Sequence, residues 1–147
     1  MIEVVSGKLE YLCKFIPPLL SSIDEKAFAF KPAENKWSKK EIIGHLIDSA
    51  ANNHQRFVRG QFEDNPAISY DQNKWNEVSH YQLMPQEQLI EFWKHYNKHL
   101  AALIKLIPAK NLQRTCKMKD GQALTLEFLI TDYVDHLEYH LKQIVSY

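Results

Sequence analysis

Apolar residues recur at intervals of three and four in every long segment of this chain, and that periodicity makes helices the elements it builds from. Four stretches carry it. Residues 2 to 22 align Val5, Leu9, Leu12, Phe15 and Ile16 in one stripe. Pro17 and Pro18, which cannot donate to the helical ladder, are expected to kink or split that helix. Between Ser38 and Gly60 a second stripe joins Ile42, Leu46, Ala50, Asn53 and Phe57, and Ser38 with Glu41 three residues on forms a capping box at its start. Pro85 opens a third helix, where a missing N–H costs nothing, and Leu89, Trp93, Tyr96, Leu100, Leu103 and Ile107 follow until Pro108 stops it. The last begins near Leu124 and carries Leu126, Leu129, Tyr133, Leu137, His140 and Ile144 inward. With glycine at only 4 of 147 residues, a turn-rich β fold is disfavoured. An all-α four-helix bundle follows. Helices 1 and 2 are joined by a connection containing Pro32, whereas residues 60 to 84 form a long stretch without periodicity between helices 2 and 3. Such a stretch is a crossover connection or a functional loop that could cover a site, which predicts a mixed topology with one crossover.

At 147 residues, 45% of them hydrophobic, the chain can close one good core, so residues 1–147 are expected to form a single domain. Lysine plus arginine balances aspartate plus glutamate at 18 each. No surplus charge draws the chain to a phosphate backbone or an anionic membrane, and no basic stripe extends beyond Lys36, Lys39 and Lys40. Neither nucleic acid nor membrane is an expected partner. Met1 to Val5 lack a basic region leading into an apolar run, and no window approaches the roughly 20 apolar residues of a membrane helix. A cytoplasmic protein is expected. Cys13 and Cys116 stand far apart outside any CxxC pattern and read as reduced, Cys13 within the core.

The seven histidines divide sharply. His136 and His140 are one turn apart, flank the inward-facing Tyr133 and Leu137, and so look into the bundle. Two inward imidazoles are costly unless something satisfies them, either a metal ion or a hydrogen bond between the pair. His45 begins a polar stripe with Ser49, Asn52 and Arg56 beside the apolar face of helix 2. By spacing alone that stripe is a solvated face or the wall of a polar pocket. His95 and His99 share the same spacing but fall on a flank with Lys94, Asn97 and Lys98. They read as boundary residues, and His54, opposite His45, and His80 in the crossover combine with no partner by spacing. Three imidazoles from two helices can hold one transition metal and leave positions open, the arrangement of a catalytic site.

Trp37-Ser38-Lys39-Lys40-Glu41-Ile42-Ile43-Gly44-His45-Leu46-Ile47-Asp48, joined to His136-Leu137-Glu138-Tyr139-His140-Leu141-Lys142-Gln143-Ile144, resembles the DinB-like superfamily, in its YfiT-like branch of metal-dependent hydrolases and thiol transferases. The resemblance runs from about Phe15 to the C-terminus and takes in Pro32, Arg56-Phe57, Tyr70-Asp71 with Trp75, and Gly121. It implies an up-down-down-up bundle, often dimeric, with a divalent metal held by His45, His136 and His140. Family activities centre on low-molecular-weight thiols, bacillithiol transfer and mycothiol-dependent isomerisation among them, beside a looser hydrolase role. The expected function is therefore a divalent-metal-dependent enzyme acting on a small molecule, a thiol S-transferase or hydrolase. Zinc or nickel is the expected metal, a small thiol a possible co-substrate, and a homodimer the expected assembly. The alternative is a non-catalytic metal-binding or stress-response bundle. Three neutral imidazoles leave a metal its full charge, which lowers the pKa of zinc-bound water to near ~7 and deprotonates a coordinated thiol. Asp48, ~60° around the helix from His45, could orient a ligand or act as a base; Arg56 could hold an anionic group. An exposed acid and a salt-bridged arginine are the plainer readings. Tyr133, Asn52 and Trp75 are further candidates to line the pocket, against simple packing.

Overall fold

The computed structural model describes residues 1–147, and the periodic stretches become four long helices. In chain order the elements are α1 (Ile2–Ser21), the short α2 (Glu25–Ala29), α3 (Lys39–Arg59), the short α4 (Gln72–Ser79), α5 (Gln86–Leu106), β1 (Thr115–Lys117), β2 (Ala123–Thr125) and α6 (Leu126–Leu141). The two strands form one small antiparallel hairpin, with Thr115 opposite Thr125 and Gly121 in the turn at φ +90°. That conformation is open to glycine at no steric cost.

Side-chain contacts fix the direction of each long helix. Ser21 Oγ donates to Glu87, and Lys105 pairs with Glu10 at 2.5 Å, so α1 and α5 run antiparallel. Ser38 meets Gln82 just ahead of α5, and further along His54 meets Tyr96, so α3 and α5 are parallel. Phe57 packs on Tyr133 while His45 sits by His136 and His140, which sets α3 against α6. Lys8 pairs with Glu138, and near the other end Ile2 and Glu127 line one cavity, so α1 and α6 are parallel. The result is an up-down-down-up bundle. Parallel neighbours cannot be joined by a tight turn, and the connection from Gly60 to Pro85 supplies the return path between α3 and α5. One contiguous core fills the centre, with Leu12, Ile16, Phe57, Trp93, Leu100 and Leu137 fully buried in it. No helix is long and apolar enough to cross a membrane.

The structure sharpens two local expectations and corrects one, the place of Phe15. Pro17 and Pro18 do not split α1, because they withdraw only the donors for the Cys13 and Lys14 carbonyls; the ladder resumes, and Ser22 N–H reaches Pro18 O at 3.1 Å. Phe15 leaves the expected stripe and lies exposed against Tyr11, 4.4 Å between ring centroids. The 60–84 crossover carries structure of its own. Asp71 accepts from Lys74 N–H at 3.0 Å and starts α4, His80 ends it in the left-handed region at φ 55°, and Tyr81–Leu83 make one 3-10 turn. The capping box at Ser38 forms as expected, with both bonds at 3.0 Å.

The crossover lands on α3 at Gly44. A Cβ there would lie 2.1 Å from Cδ2 of Tyr81, near the root of a buried ring. Gly44→Ala should therefore destabilise the protein by about 1–3 kcal/mol in urea unfolding, although alanine is the better helix former by ~1 kcal/mol. An unchanged or raised midpoint would show that Tyr81 yields freely.

Candidate metal centre

Two helices bring the three imidazoles together. Thr125 Oγ1 accepts from Phe128 N–H and starts α6, placing His136 and His140 one turn apart on the side facing α3. The capping box sets the start of α3, which carries His45 into the same space. One ligating atom from each ring lies within 4.8 Å of the others. His45 Nε2 and His136 Nε2 are 3.3 Å apart, the separation of two nitrogens that each lie about 2.0–2.1 Å from one tetrahedral ion. Ring centroids are 4.6–5.1 Å apart with planes crossed at 76–77°. The donor set fits a divalent transition metal.

Electrostatics keep His45 and His136 neutral. Burial first, then the neighbouring His136 and His140, push the pKa of His45 down to about 3. His136 is lowered by burial and by His140, with Asp132 opposing. Neutral imidazole is the form that binds metal. His140 Nδ1 pairs with Gln143 Oε1 at 2.9 Å; since the amide oxygen only accepts, Nδ1 carries the proton and Nε2 keeps its lone pair. Trp37 lies over His45 at 4.8 Å between centroids and shields it from water. Beside these rings a groove of about 540 Å³ opens, lined by Asn35, Lys36, Trp37, Gln72 and Asn73 with His140 and Gln143.

The polar stripe of α3 is buried from His45 to Asn52. His45 is 1% exposed, and Asp48, Ser49 and Asn52 are 3% each. Asp48 is thus no exposed helix acid: Tyr81 O–H donates to its Oδ1, its Oδ2 has no partner, and burial raises its pKa to about 6 against the pull of that hydrogen bond. Arg56 is not brought to the histidines. It lies eleven residues along α3, about 16 Å by helical rise, and its guanidinium donates to Ile68 O at 2.9 and 3.3 Å and to Asn53 Oδ1 at 3.2 Å. Tyr133 is core, its hydroxyl donating to Asn97 at 2.5 Å, and Asn52 Nδ2 donates back to Asp48 O at 2.9 Å. Trp75 packs on Tyr70 within the crossover. His54 bonds Tyr96 at 2.9 Å, and His95 pairs with Glu91 at 3.2 Å. Sequence reasoning missed the roles of Tyr81, Gly44 and Gln143; of these, only the glycine inside a helical pattern carried a local signal.

The model of the DinB superfamily matches residues 16–144. A Halalkalibacterium halodurans protein provisionally named a metal-dependent hydrolase is 30% identical over 127 residues, 86% of this chain and 74% of that one. A Bacillus cereus protein with the same provisional name is 24% identical over 147 residues, 99% of this chain and 84% of its own. Among solved structures, YfiT from Bacillus subtilis, described as a probable metal-dependent hydrolase with an unusual four-helix bundle topology, superposes with a TM-score of 0.88 at 21% identity, over 97% of this chain and 83% of that one. A mycothiol-dependent maleylpyruvate isomerase gives 0.79 at 13% identity, over 99% of this chain but 61% of its own.

Proposed function

This chain belongs to the DinB superfamily, and on that premise we propose that it is a metal-dependent enzyme whose ion is held by His45, His136 and His140. The observation that carries the reading is the convergence of three imidazoles, from two helices, on one space beside a groove. A bound zinc or nickel ion would act as a Lewis acid and lower the pKa of water or of a small thiol. The chain's own residues do the rest. Burial keeps His45 and His136 unprotonated, Gln143 fixes the tautomer of His140, and Trp37 excludes water from one side of His45. The carboxamides of Asn35, Gln72 and Asn73 offer donors and acceptors to a small polar substrate, and Lys36 meets an anionic group on it. The reaction is thiol S-transfer or hydrolysis, and the assembly a homodimer, checked by light scattering; a monomer mass would remove the latter.

The test is elemental analysis of protein purified without a histidine tag, followed by a screen of small thiols and hydrolysable esters on the metal-loaded form. About one ion per chain and turnover that a chelator abolishes are expected. Metal content near zero under every loading condition would overturn the proposal. Within an active protein, Lys36→Ala should raise KM for an anionic substrate about tenfold, the effect of ~1.4 kcal/mol, with metal content unchanged. An unaltered KM would place the anionic group elsewhere.

A further inference from the structure

Three buried side-chain polar atoms in this protein have no hydrogen-bond partner: His45 Nδ1, Asp48 Oδ2 and Trp93 Nε1. Unpaired buried polar atoms are rare, and two of these belong to one turn of α3. They are complementary in chemistry. The nitrogen of His45 that faces His136 is Nε2, and an imidazole offering that lone pair to a metal carries its proton on Nδ1. The metal-binding tautomer is thus a donor without an acceptor. Asp48 Oδ2 is an acceptor without a donor. Residues three apart on a helix have Cβ atoms about 5–6 Å apart, within reach of a direct bond or a single bridging water.

The surrounding structure is built to keep that carboxylate in place. Asp48 has no cation beside it in any ion pair, yet it is as buried as the polar residues that follow it on α3. Burying an unpaired carboxylate is costly, so a compensating partner is expected. Tyr81 reaches in from the crossover and donates to Oδ1, which leaves Oδ2 as the oxygen to be used. That reach is possible because Gly44 presents no side chain where the Tyr81 ring lies.

We propose that Asp48 is the positioning carboxylate of the metal centre, its Oδ2 accepting from His45 Nδ1–H when a metal is bound, with Tyr81 anchoring the other oxygen. The inference rests on the reading of His45, His136 and His140 as ligands. It assigns Asp48 to act through His45 and not on substrate. It also couples the crossover to the ion through the chain Tyr81, Asp48, His45.

The experiment compares zinc affinity, melting of the metal-free protein and imidazole NMR for the full chain and its Asp48→Asn, Asp48→Leu and Tyr81→Phe variants. Loss of an outer-shell partner weakens metal binding about 10–100-fold, which is expected for Asp48→Leu, with Asp48→Asn and Tyr81→Phe falling between it and the native chain. Melting of metal-free Asp48→Leu should change little, because the burial cost of a carboxylate without a cation is gone while the Tyr81 hydroxyl loses its acceptor. A slowly exchanging Nδ1–H signal of His45 should appear on zinc loading of the native chain and be absent from Asp48→Leu. Unchanged zinc affinity in both Asp48 variants overturns the proposal, as does an affinity loss that merely follows a fall in metal-free stability. No zinc uptake by the native chain overturns the ligand reading, and this inference with it.

Discussion

Replacing His45 with alanine is expected to abolish stable metal uptake while the bundle still folds. Zinc held by four protein ligands is worth about 10–16 kcal/mol, so one ligand carries roughly 2.5–4 kcal/mol, a factor of about 10²–10³ in affinity. His45 is one of three, and the only one from α3, so its removal also ends the link that an ion would make between α3 and α6. The fold should survive, since Leu46, Ile47 and Ala50 keep that part of α3 in the core. His136→Ala and His140→Ala should lose metal in the same way with smaller effects on melting, their rings being only half-buried. The internal control is His95→Ala with His99→Ala. That pair has the same one-turn spacing, on exposed positions of α5, and its removal should leave uptake unchanged. Calorimetric titration of chelator-stripped protein measures all four. Native-like uptake by His45→Ala would end the three-histidine reading.

The helices were legible because burial of one face forces apolar residues into a stripe, and that force acts locally along the chain. Leu126, Leu129, Tyr133, Leu137 and Ile144 are all buried as their spacing demands. So was the crossover, because its length alone implies parallel neighbours. What the spacing could not reveal was structure made by polar residues. The helix α4 has no apolar stripe that anchors it, and its one cue is Asp71 as a cap. Phe15 shows the converse error: its apolar character placed it in a stripe, although a residue adjacent to Ile16 points about 100° away.

The site divides along the same line. His136 and His140 could be placed because they sit on an apolar stripe of their own helix. His45, Asp48, Ser49 and Asn52 could not, because a polar stripe is solvent or pocket according to what covers it, and the cover comes from elsewhere in the chain. Trp37 precedes the helix, and Tyr81 arrives from more than thirty residues downstream. Arg56 is a related case. Its spacing extends the stripe of His45, but the Ile68 carbonyl takes up the guanidinium, and no local pattern announces that bond.

Phe57→Ala should give a large loss of stability, about 3–5 kcal/mol, and metal binding should restore much of it. Phe57 is fully buried and meets Tyr133 edge to face at 5.8 Å, holding α3 to α6 well below the histidines that join the same two helices. Against a total stability of about 5–15 kcal/mol, that loss leaves a thin margin, and at ~2–4 °C per kcal/mol melting should fall by roughly 6–20 °C. An ion that binds only the folded state adds ~2.7 kcal/mol at a hundred times its Kd. Because the ion would span α3 and α6, zinc should raise the melting temperature of Phe57→Ala by several degrees and should do nothing for the Phe57→Ala, His45→Ala double variant. Equal recovery in both would mean that zinc stabilises the bundle at some other place, and that the contact between α3 and α6 is held by packing alone.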